Sequence, residues 1–248
     1  MMKKNVIRIV ILVVLSSLIS FSFVSALSIS ITQPTTSYVV YSESGIMCSA
    51  NVQNANGSPS ISYDGTYLGS MTSGGYNSYY FNWHPTSSQR GLGTQGRKWL
   101  KVSSGSSSAL KSIYVSEYTA SFYNDIATNW TIVGAADTDY NCFAYALGIT
   151  NENLWPWKNW LGEYPPTVSE LDTEMNSRGY TRTYSASQAD VVAYYDIDYP
   201  NSRIGHFARG YGSAFRSKWG KIEVMQTSID PYKSNGPYGS VAAYYKKN

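Results

Sequence analysis

The chain has little of what several protein classes require. Its 248 residues include two cysteines, Cys48 and Cys142, and two histidines, His84 and His206. Two cysteines are too few for a disulfide scaffold, so each thiol needs an explanation of its own. Neither histidine has close Cys or His companions in the sequence, so we predict no metal site and no cofactor.

Charge is also scarce and evenly balanced. Charged residues make up 14% of the chain, with 19 basic and 16 acidic side chains. Three of the basic residues lie in the first 26 positions, which leaves 16 of each sign in the remainder. This balance gives no reason to expect a nucleic acid as a partner. Beyond residue 26 no run is long and apolar enough to cross a bilayer, so we expect no stable membrane span there.

The long apolar run of the chain is at its amino terminus. Residues 1–26 read MMKKNVIRIVILVVLSSLISFSFVSA, with basic residues first, an apolar stretch next and the small residues Ser25 and Ala26 last. This is the layout of a secretory signal peptide with cleavage near Ala26. An uncleaved anchor in residues 6–18 is the alternative, but serines from Ser16 onward dilute the run. We therefore expect a secreted or cell-surface protein of unspecified oligomeric state.

Residues 27–117 alternate between apolar and polar positions in short runs. Ile46, Cys48, Ala50 and Val52 alternate with small or polar neighbours, and about seven such runs are separated by turn residues. Period two indicates strands with one buried face, and this spacing predicts an antiparallel β-sandwich of immunoglobulin type. Cys48 is expected to be a buried, inert thiol on the inward face of its strand.

The end of this first domain is predicted from its serine-rich segment. Residues 105–111, GSSSALK, are interpreted as a hairpin loop that leads into a last strand, SIYVSE. The boundary with the second domain is then placed at residue 117, within the stretch 116–121. His84 precedes Pro85 at a strand end and is interpreted as a turn or interface residue.

Residues 118–248 have a different pattern, with helices first and strands after them. PPTVSELDTEMNSRGY predicts a helix with Thr167 as N-cap, Glu170 three residues later and Gly179 as terminator. Five aromatic or β-branched runs follow: ADVVAYYD, HFARGY, AFRSKWG, KIEVMQTS and SVAAYYKK. The prediction is a β-rich protein of two domains, in which an α+β domain follows the sandwich.

Cys142 lies where a polar run becomes apolar, in DTDYNCFAYALG. Thr138 or Asp139 can cap a short helix that Gly148 ends, which places Cys142 in the first helical turn. Backbone N–H groups and the helix dipole at that position favour a thiolate, the reactive form of cysteine. The sequence thus predicts a candidate nucleophile.

His206 is the candidate general base, because it is the one histidine of the second domain. It begins a predicted strand directly after a polar loop, so its ring is expected at a sheet end. A helix N-terminus bearing Cys and a sheet end bearing His are the two parts that a papain-type site requires. The alternative is a packed cysteine and a surface histidine without a shared role. A disulfide between Cys48 and Cys142 is a third, less favoured interpretation, because a sandwich-core residue rarely lies within bridging distance of another domain.

The order NCFAYALG, ADVVAYYD, GHFA and SKWG over residues 130–248 resembles the papain-like cysteine peptidases and amidases of bacterial cell walls, the NlpC and CHAP type. That resemblance implies a papain-like fold, with Cys142 as nucleophile and His206 as general base. It also implies an orienting group in SKWG, and because a charged Lys218 cannot accept the imidazole N–H, this would be Ser217 or a nearby backbone carbonyl.

The resemblance is incomplete further along the chain. Thr227 stands where such relatives tend to carry a histidine, and Glu223 and Gln226 are the possible substitutes. An oxyanion would be held by the backbone N–H of Cys142, with the side chain of Asn141 or Tyr140 as a second donor.

Three tryptophans that follow the cysteine are candidates for a substrate-binding wall: Trp155, Trp157 and Trp160. Core packing or a domain interface is the alternative for them. The functional hypothesis is a secreted cysteine hydrolase that cleaves an amide bond in a cell-wall peptide or another extracellular peptide by acyl transfer. The alternative hypothesis is a non-catalytic surface or adhesion protein with a degenerate papain-like domain.

Overall fold

The computed structural model describes residues 27–154, 165–199 and 201–248. The predicted signal peptide and the three tryptophans Trp155, Trp157 and Trp160 lie outside these residues. The described chain is rich in β-structure, and its strands pair antiparallel with one exception, the parallel pair formed by strands Tyr38–Tyr41 and Ser107–Thr119. Within the described ranges, no helix has the length and apolar character needed to cross a bilayer.

The first half is a sandwich of two sheets. Its strands are β1 (Ser28–Gln33), β2 (Tyr38–Tyr41), β3 (Ile46–Gln53), β4 (Ser60–Tyr63), β5 (Thr66–Ser70), β6 (Thr72–Gly75), β7 (Ser78–Trp83), β8 (Lys98–Ser104) and β9 (Ser107–Thr119). One sheet has the order β1-β3-β7-β6, and the other has the order β2-β9-β8-β4-β5. This is the division of strands between sheets that immunoglobulin-type sandwiches share.

The inward faces of both sheets form one apolar core. Strand β3 alternates buried and more exposed residues along its length, so Cys48 points into the core, where it is 1% exposed. Burial raises the pKa of the Cys48 thiol to about 12. The predicted burial of Cys48 is therefore confirmed, and its low reactivity stays a prediction that the raised pKa supports.

The predicted hairpin loop at residues 105–111 is wrong in length. The turn comprises two residues, Gly105 and Ser106, and β9 already pairs with β8 from Ser107 onward. Gly105 has φ +55°, which glycine adopts without strain. The serines were misleading because a strand with a solvent-facing side tolerates polar residues, and strand preference depends on the neighbours across the sheet. Strand β9 ends at Thr119, which is also the N-cap residue of the next helix.

The second half has helices that pack on a seven-stranded sheet. Its helices are α1 (Ala120–Ile126), α2 (Cys142–Ala146) and α3 (Val168–Ser177), and its strands are β10 (Thr131–Gly134), β11 (Tyr180–Thr183), β12 (Val191–Asp196), β13 (Ile204–Tyr211), β14 (Ala214–Lys218), β15 (Val224–Thr227) and β16 (Tyr238–Lys247). The sheet order is β10-β15-β14-β13-β12-β16-β11, with every pair antiparallel. Helices α2 and α3 cover the sheet face to which Phe207 and Ala193 belong.

Helix α3 begins and ends where the sequence predicts. The Thr167 hydroxyl accepts from Glu170 N–H at 3.3 Å, and the Glu170 carboxylate accepts from Thr167 N–H at 2.7 Å. This capping box satisfies donors that a helix start would otherwise leave open. Gly179, with φ +79°, follows the C-cap residue Arg178.

A buried carboxylate joins the two halves. Glu223 is fully buried and accepts from Tyr114 Oη at 2.9 Å, Tyr123 Oη at 2.8 Å and Glu117 N at 2.7 Å. Tyr114 and Glu117 belong to β9 of the sandwich, whereas Glu223 precedes β15 of the second sheet. The junction is therefore a hydrogen-bonded contact and not a free linker.

Candidate functional site

Helix α2 starts at the candidate nucleophile. Asn141 has an extended backbone, and its Oδ1 accepts from Ala144 N–H at 3.0 Å, so Asn141 is the N-cap and Cys142 is the first helical residue. The predicted caps Thr138 and Asp139 are wrong by two to three positions. Gly148 follows the helix with φ +81°, as predicted. The Asn141 amide also donates to the Leu154 carbonyl at 2.7 Å, so one N–H of the proposed oxyanion donor is already used.

The thiol of Cys142 is half-buried and uncharged at neutral pH. Burial raises its pKa to about 11, and this effect exceeds the opposing influences of the backbone N–H groups of Phe207, Phe143 and Cys142 and of the Lys218 charge. The expected thiolate is therefore not what this environment favours. A helix of five residues has few aligned peptide dipoles, so desolvation of the sulfur outweighs its N-terminal field.

His206 is the third residue of β13 and is enclosed by tyrosines. Its ring stacks on Tyr238, with centroids 3.8 Å apart and an interplanar angle of 18°, and it meets Tyr232 edge-on at 5.4 Å. Tyr194 lies across the strand pair at 5.9 Å. The side chain is 1% exposed, and burial lowers the pKa of the imidazole to about 3. His206 is thus a buried, neutral ring, and it lies two residues inside β13 and not at the strand start that the sequence predicts.

The candidate nucleophile and base are neighbours that are not bonded to each other. Cys142 packs against the core cluster that contains Phe207, the residue after His206, and the backbone N–H of Phe207 is among the groups that lower the pKa of the Cys142 thiol. Phe207 itself faces α2, with its ring 4.6 Å from that of Phe143, whereas the His206 ring points to the tyrosines on the other side. In the described part of the chain, His206 Nε2 has no hydrogen-bond partner. The pair is a neutral thiol beside a neutral imidazole.

Ser217 and Lys218 of the SKWG segment point to opposite sides of β14. Ser217 Oγ lies 3.1 Å from Tyr232 Oη and accepts from Trp219 Nε1 at 2.9 Å, so it reaches His206 only through the Tyr232 ring. Lys218 is fully buried and donates to the carbonyls of Gly220 and Ile222. Burial lowers its pKa to about 8, against the opposing charges of Asp137, Glu223 and Cys142.

The suggested substitutes for the missing histidine lie away from the imidazole. Both carboxylate oxygens of Glu223 are bonded at the domain junction, and Gln226 Oε1 accepts from Arg216 Nε at 3.0 Å. Thr227 is buried, and its hydroxyl has no hydrogen-bond partner in the described ranges. None of the three forms a hydrogen bond with His206 in those ranges.

Tyr140 lies beside the site. Its ring stacks on Tyr145 with centroids 6.0 Å apart, and Lys218 Nζ is 5.6 Å from the centre of the Tyr140 ring. Burial raises the pKa of Tyr140 to about 12, so its phenol stays protonated and able to donate a hydrogen bond. Among the residues that the structure describes, no group of three or more His, Cys, Asp or Glu side chains is arranged to hold a metal ion.

Sequence reasoning missed the tyrosine enclosure. Tyr194 lies on β12, Tyr238 opens β16 and Tyr232 belongs to the loop between β15 and β16, so only the folded sheet brings the three together. The segments DPY and YGSVAAYY contain two of them. Their signal was weak because tyrosine is abundant, with 23 in the chain.

A cavity of about 500 Å³ lies where the two halves meet. The sandwich lines it with Leu92, Gln95 and Gly96, and the second half lines it with the segment from Ala135 to Asp139. That segment leads directly to Tyr140, Asn141 and Cys142. Both halves of the chain thus contribute to the surface next to the candidate site.

Comparisons with known proteins give no established activity. Residues 131–246, a little under half of the chain, match a family model described as a domain of unknown function, DUF7689. No curated protein matches the chain. Among solved structures, a chimeric titin Z1Z2-Z1Z2 tandem functionalised with an exogenous GRGDS peptide from fibronectin matches with 8% identity and a TM-score of 0.26. That match covers 89% of this chain and 97% of the titin chain, but a TM-score this low does not establish a shared fold.

Proposed function

We propose that residues 118–248 form a papain-like cysteine-dependent hydrolase that cleaves an amide bond in an extracellular peptide, such as a cell-wall peptide. The observation that carries the proposal is that Cys142 packs on the strand that carries His206 and acts electrostatically on Tyr232 and Tyr238, the two rings that contact the imidazole. Two segments far apart in the sequence thereby place a partly buried thiol near the tyrosines that surround His206. The signal-like residues 1–26 support an extracellular location.

The proposed chemistry starts from the neutral pair. As Cys142 Sγ forms its bond to the substrate carbonyl carbon, His206 accepts the thiol proton and the carbonyl oxygen becomes an oxyanion. The C–N bond then breaks, the amine leaves with the proton from His206, and a thioester remains. Water cleaves the thioester with His206 again acting as base. Because no hydrogen bond joins the two groups in the described chain, substrate binding must close that gap, as is common for unliganded enzymes.

The second domain also supports a non-catalytic alternative. The raised thiol pKa, the buried imidazole with its lowered pKa and the missing orienting oxygen at His206 Nε2 are the features of a site that has lost its activity. In that case the protein would act as a secreted binding protein, with the immunoglobulin-type sandwich and the second domain both serving as contact surfaces.

The test compares the two cysteines. Wild-type protein, Cys142→Ala and the control Cys48→Ala are incubated with peptidoglycan fragments and with a peptide library, and the products are identified by mass spectrometry. We expect products that require Cys142 and persist in Cys48→Ala. Identical profiles for wild type and Cys142→Ala would remove the hydrolase and leave the binding protein.

A further inference from the structure

Two arginines face each other across adjacent strands close to α2. Arg209 of β13 is the direct partner of Arg216 of β14 in the antiparallel register. Like charges in this position destabilise a sheet unless something compensates them. Ion pairs in the described residues join Lys98 to Asp64, Arg178 to Glu174 and Arg182 to Asp172, and neither Arg209 nor Arg216 takes part in one.

The surroundings of Arg216 hold its side chain in place without neutralising its charge. The guanidinium of Arg216 lies 3.5 Å from the centre of the Tyr211 ring, and its Nε donates to Gln226 Oε1. In the described chain, Nε is the one atom of the Arg216 guanidinium that forms a hydrogen bond. The N–H donors of its two terminal nitrogens are therefore open to a ligand. A guanidinium fixed in this way loses little freedom when it binds an anion.

Arg209 is exposed and lies beside the end of α2. A Cβ at Gly148 would come within 3.1 Å of Arg209 Nη1, so the glycine leaves room for the guanidinium. Both arginines oppose the burial that raises the pKa of Tyr145, so both lie within electrostatic range of the same phenol. A cation near a helix C-terminus is stabilised by the helix dipole, but this interaction accounts for the position of Arg209 at most and not for that of Arg216.

We propose that Arg209 and Arg216 form a binding site for the carboxylate of a peptide ligand. Two guanidinium groups with open N–H donors match the planar, bidentate geometry of a carboxylate. The carboxylate comes from an acidic side chain or from a free peptide C-terminus, which share this chemistry. The identification of this ligand as the substrate rests on the proposed function. The binding of a carboxylate at the two arginines does not depend on it.

The position of the site relates it to Cys142. Lys218, whose charge acts on the Cys142 thiol, lies two residues after Arg216 on the same side of β14. Arg209 lies beside Gly148, just after the end of α2, and Cys142 is the first residue of that short helix. A ligand bound at the arginines therefore lies near the opposite end of α2 from Cys142.

The test measures binding to the full chain carrying Cys142→Ala, so that turnover plays no part. The probes are acetyl-Ala-Glu amide, acetyl-Ala-Ala with a free C-terminus and the neutral acetyl-Ala-Gln amide, titrated by calorimetry. We expect at least one charged probe to bind about tenfold more tightly than the neutral probe, because hydrogen bonds between charged groups are the stronger ones. The probe that shows this preference identifies the source of the carboxylate.

Variants then locate the site. Arg209→Gln and Arg216→Gln should each abolish most of the preference, whereas Lys101→Gln on the exposed face of β8 should keep it. Arg209→Lys and Arg216→Lys should retain part of it, since they keep the charge and lose the fork. Equal affinities for all three probes, no saturable binding of either charged probe, or a preference that survives both arginine-to-glutamine changes would overturn the proposal. Binding without turnover by the wild type would instead overturn only the proposed hydrolase.

Discussion

At the scale of single residues, burial decides the chemistry of the candidate site. Cys142 and His206 have shifts in opposite directions, and both shifts favour the neutral form: the thiol pKa is raised to about 11 and the imidazole pKa is lowered to about 3. A desolvated group resists carrying charge whatever its sign. A preformed thiolate–imidazolium pair is therefore not the resting state.

This state predicts the pH dependence of Cys142 alkylation. Only the thiolate reacts with iodoacetamide, and a pKa near 11 leaves a small thiolate fraction below pH 8. We expect the rate in a Cys48→Ala background to be slow at pH 6 and to rise about tenfold per pH unit from pH 7 to 9, as followed by intact-protein mass spectrometry. A rate that levels off below pH 7 would show a thiolate stabilised by His206 and would contradict the neutral pair.

Part of the candidate site could be predicted from the sequence, and part of it could not. Cys142 at a helix start and the unique histidine of the second half follow from spacing and composition. The enclosure of His206 by Tyr194, Tyr232 and Tyr238 does not, because it depends on a strand pairing between β12 and β13 and on a loop that returns over the sheet. Local patterns place the reactive atoms, whereas tertiary contacts set their ionisation.

At the scale of elements, the ends of the two helices α2 and α3 differ in how well they could be predicted. Thr167, Glu170 and Gly179 bound α3 by hydrogen bonds between residues close in sequence, so the pattern was sufficient. Helix α2 has several polar residues before it, and the choice of Asn141 is reinforced by the Leu154 carbonyl, a contact outside the helix. The cap that also makes a tertiary bond is the one that sequence spacing did not identify.

Replacement of that cap should destabilise the second half. Asn141→Ala removes the bonds to Ala144 N–H and to the Leu154 carbonyl, and we expect a loss of about 1–2 kcal/mol in the free energy of unfolding, measured by urea denaturation. Asn141→Ser keeps a capping oxygen and loses only the donor to the Leu154 carbonyl, so it should cost less. Thr167→Ala at α3 is the matched cap control, with an expected loss of about 1 kcal/mol. Equal losses for Asn141→Ala and Asn141→Ser would show that the cap itself contributes nothing.

At the scale of the whole molecule, the two halves are joined by polar contacts whose partners could not be predicted from local sequence patterns. The predicted boundary near residue 117 falls inside β9, and that strand carries Tyr114 and Glu117 to the buried Glu223. More than one hundred positions separate donor and acceptor in the chain. Period-two patterns can predict the sandwich and the sheet separately, but no local signal predicts a carboxylate shared between them.

Glu223 should therefore control whether the halves unfold together. In Glu223→Gln the amide offers fewer acceptor sites to Tyr114, Tyr123 and Glu117 N–H, and its own N–H groups face donors. We expect the wild type to unfold in one calorimetric transition, and we expect Glu223→Gln to lose about 2–4 kcal/mol and to unfold in two.

The phenols provide the matched variants. Tyr114→Phe and Tyr123→Phe each remove one hydrogen bond to the carboxylate and should each cost about 1.5–3 kcal/mol. In the double variant the two losses should not add, because both phenols bond to one carboxylate and the second removal acts on a network that the first has already weakened. A wild-type protein that already unfolds in two transitions, or a Glu223→Gln protein that unfolds as the wild type does, would mean that the junction contact does not couple the halves.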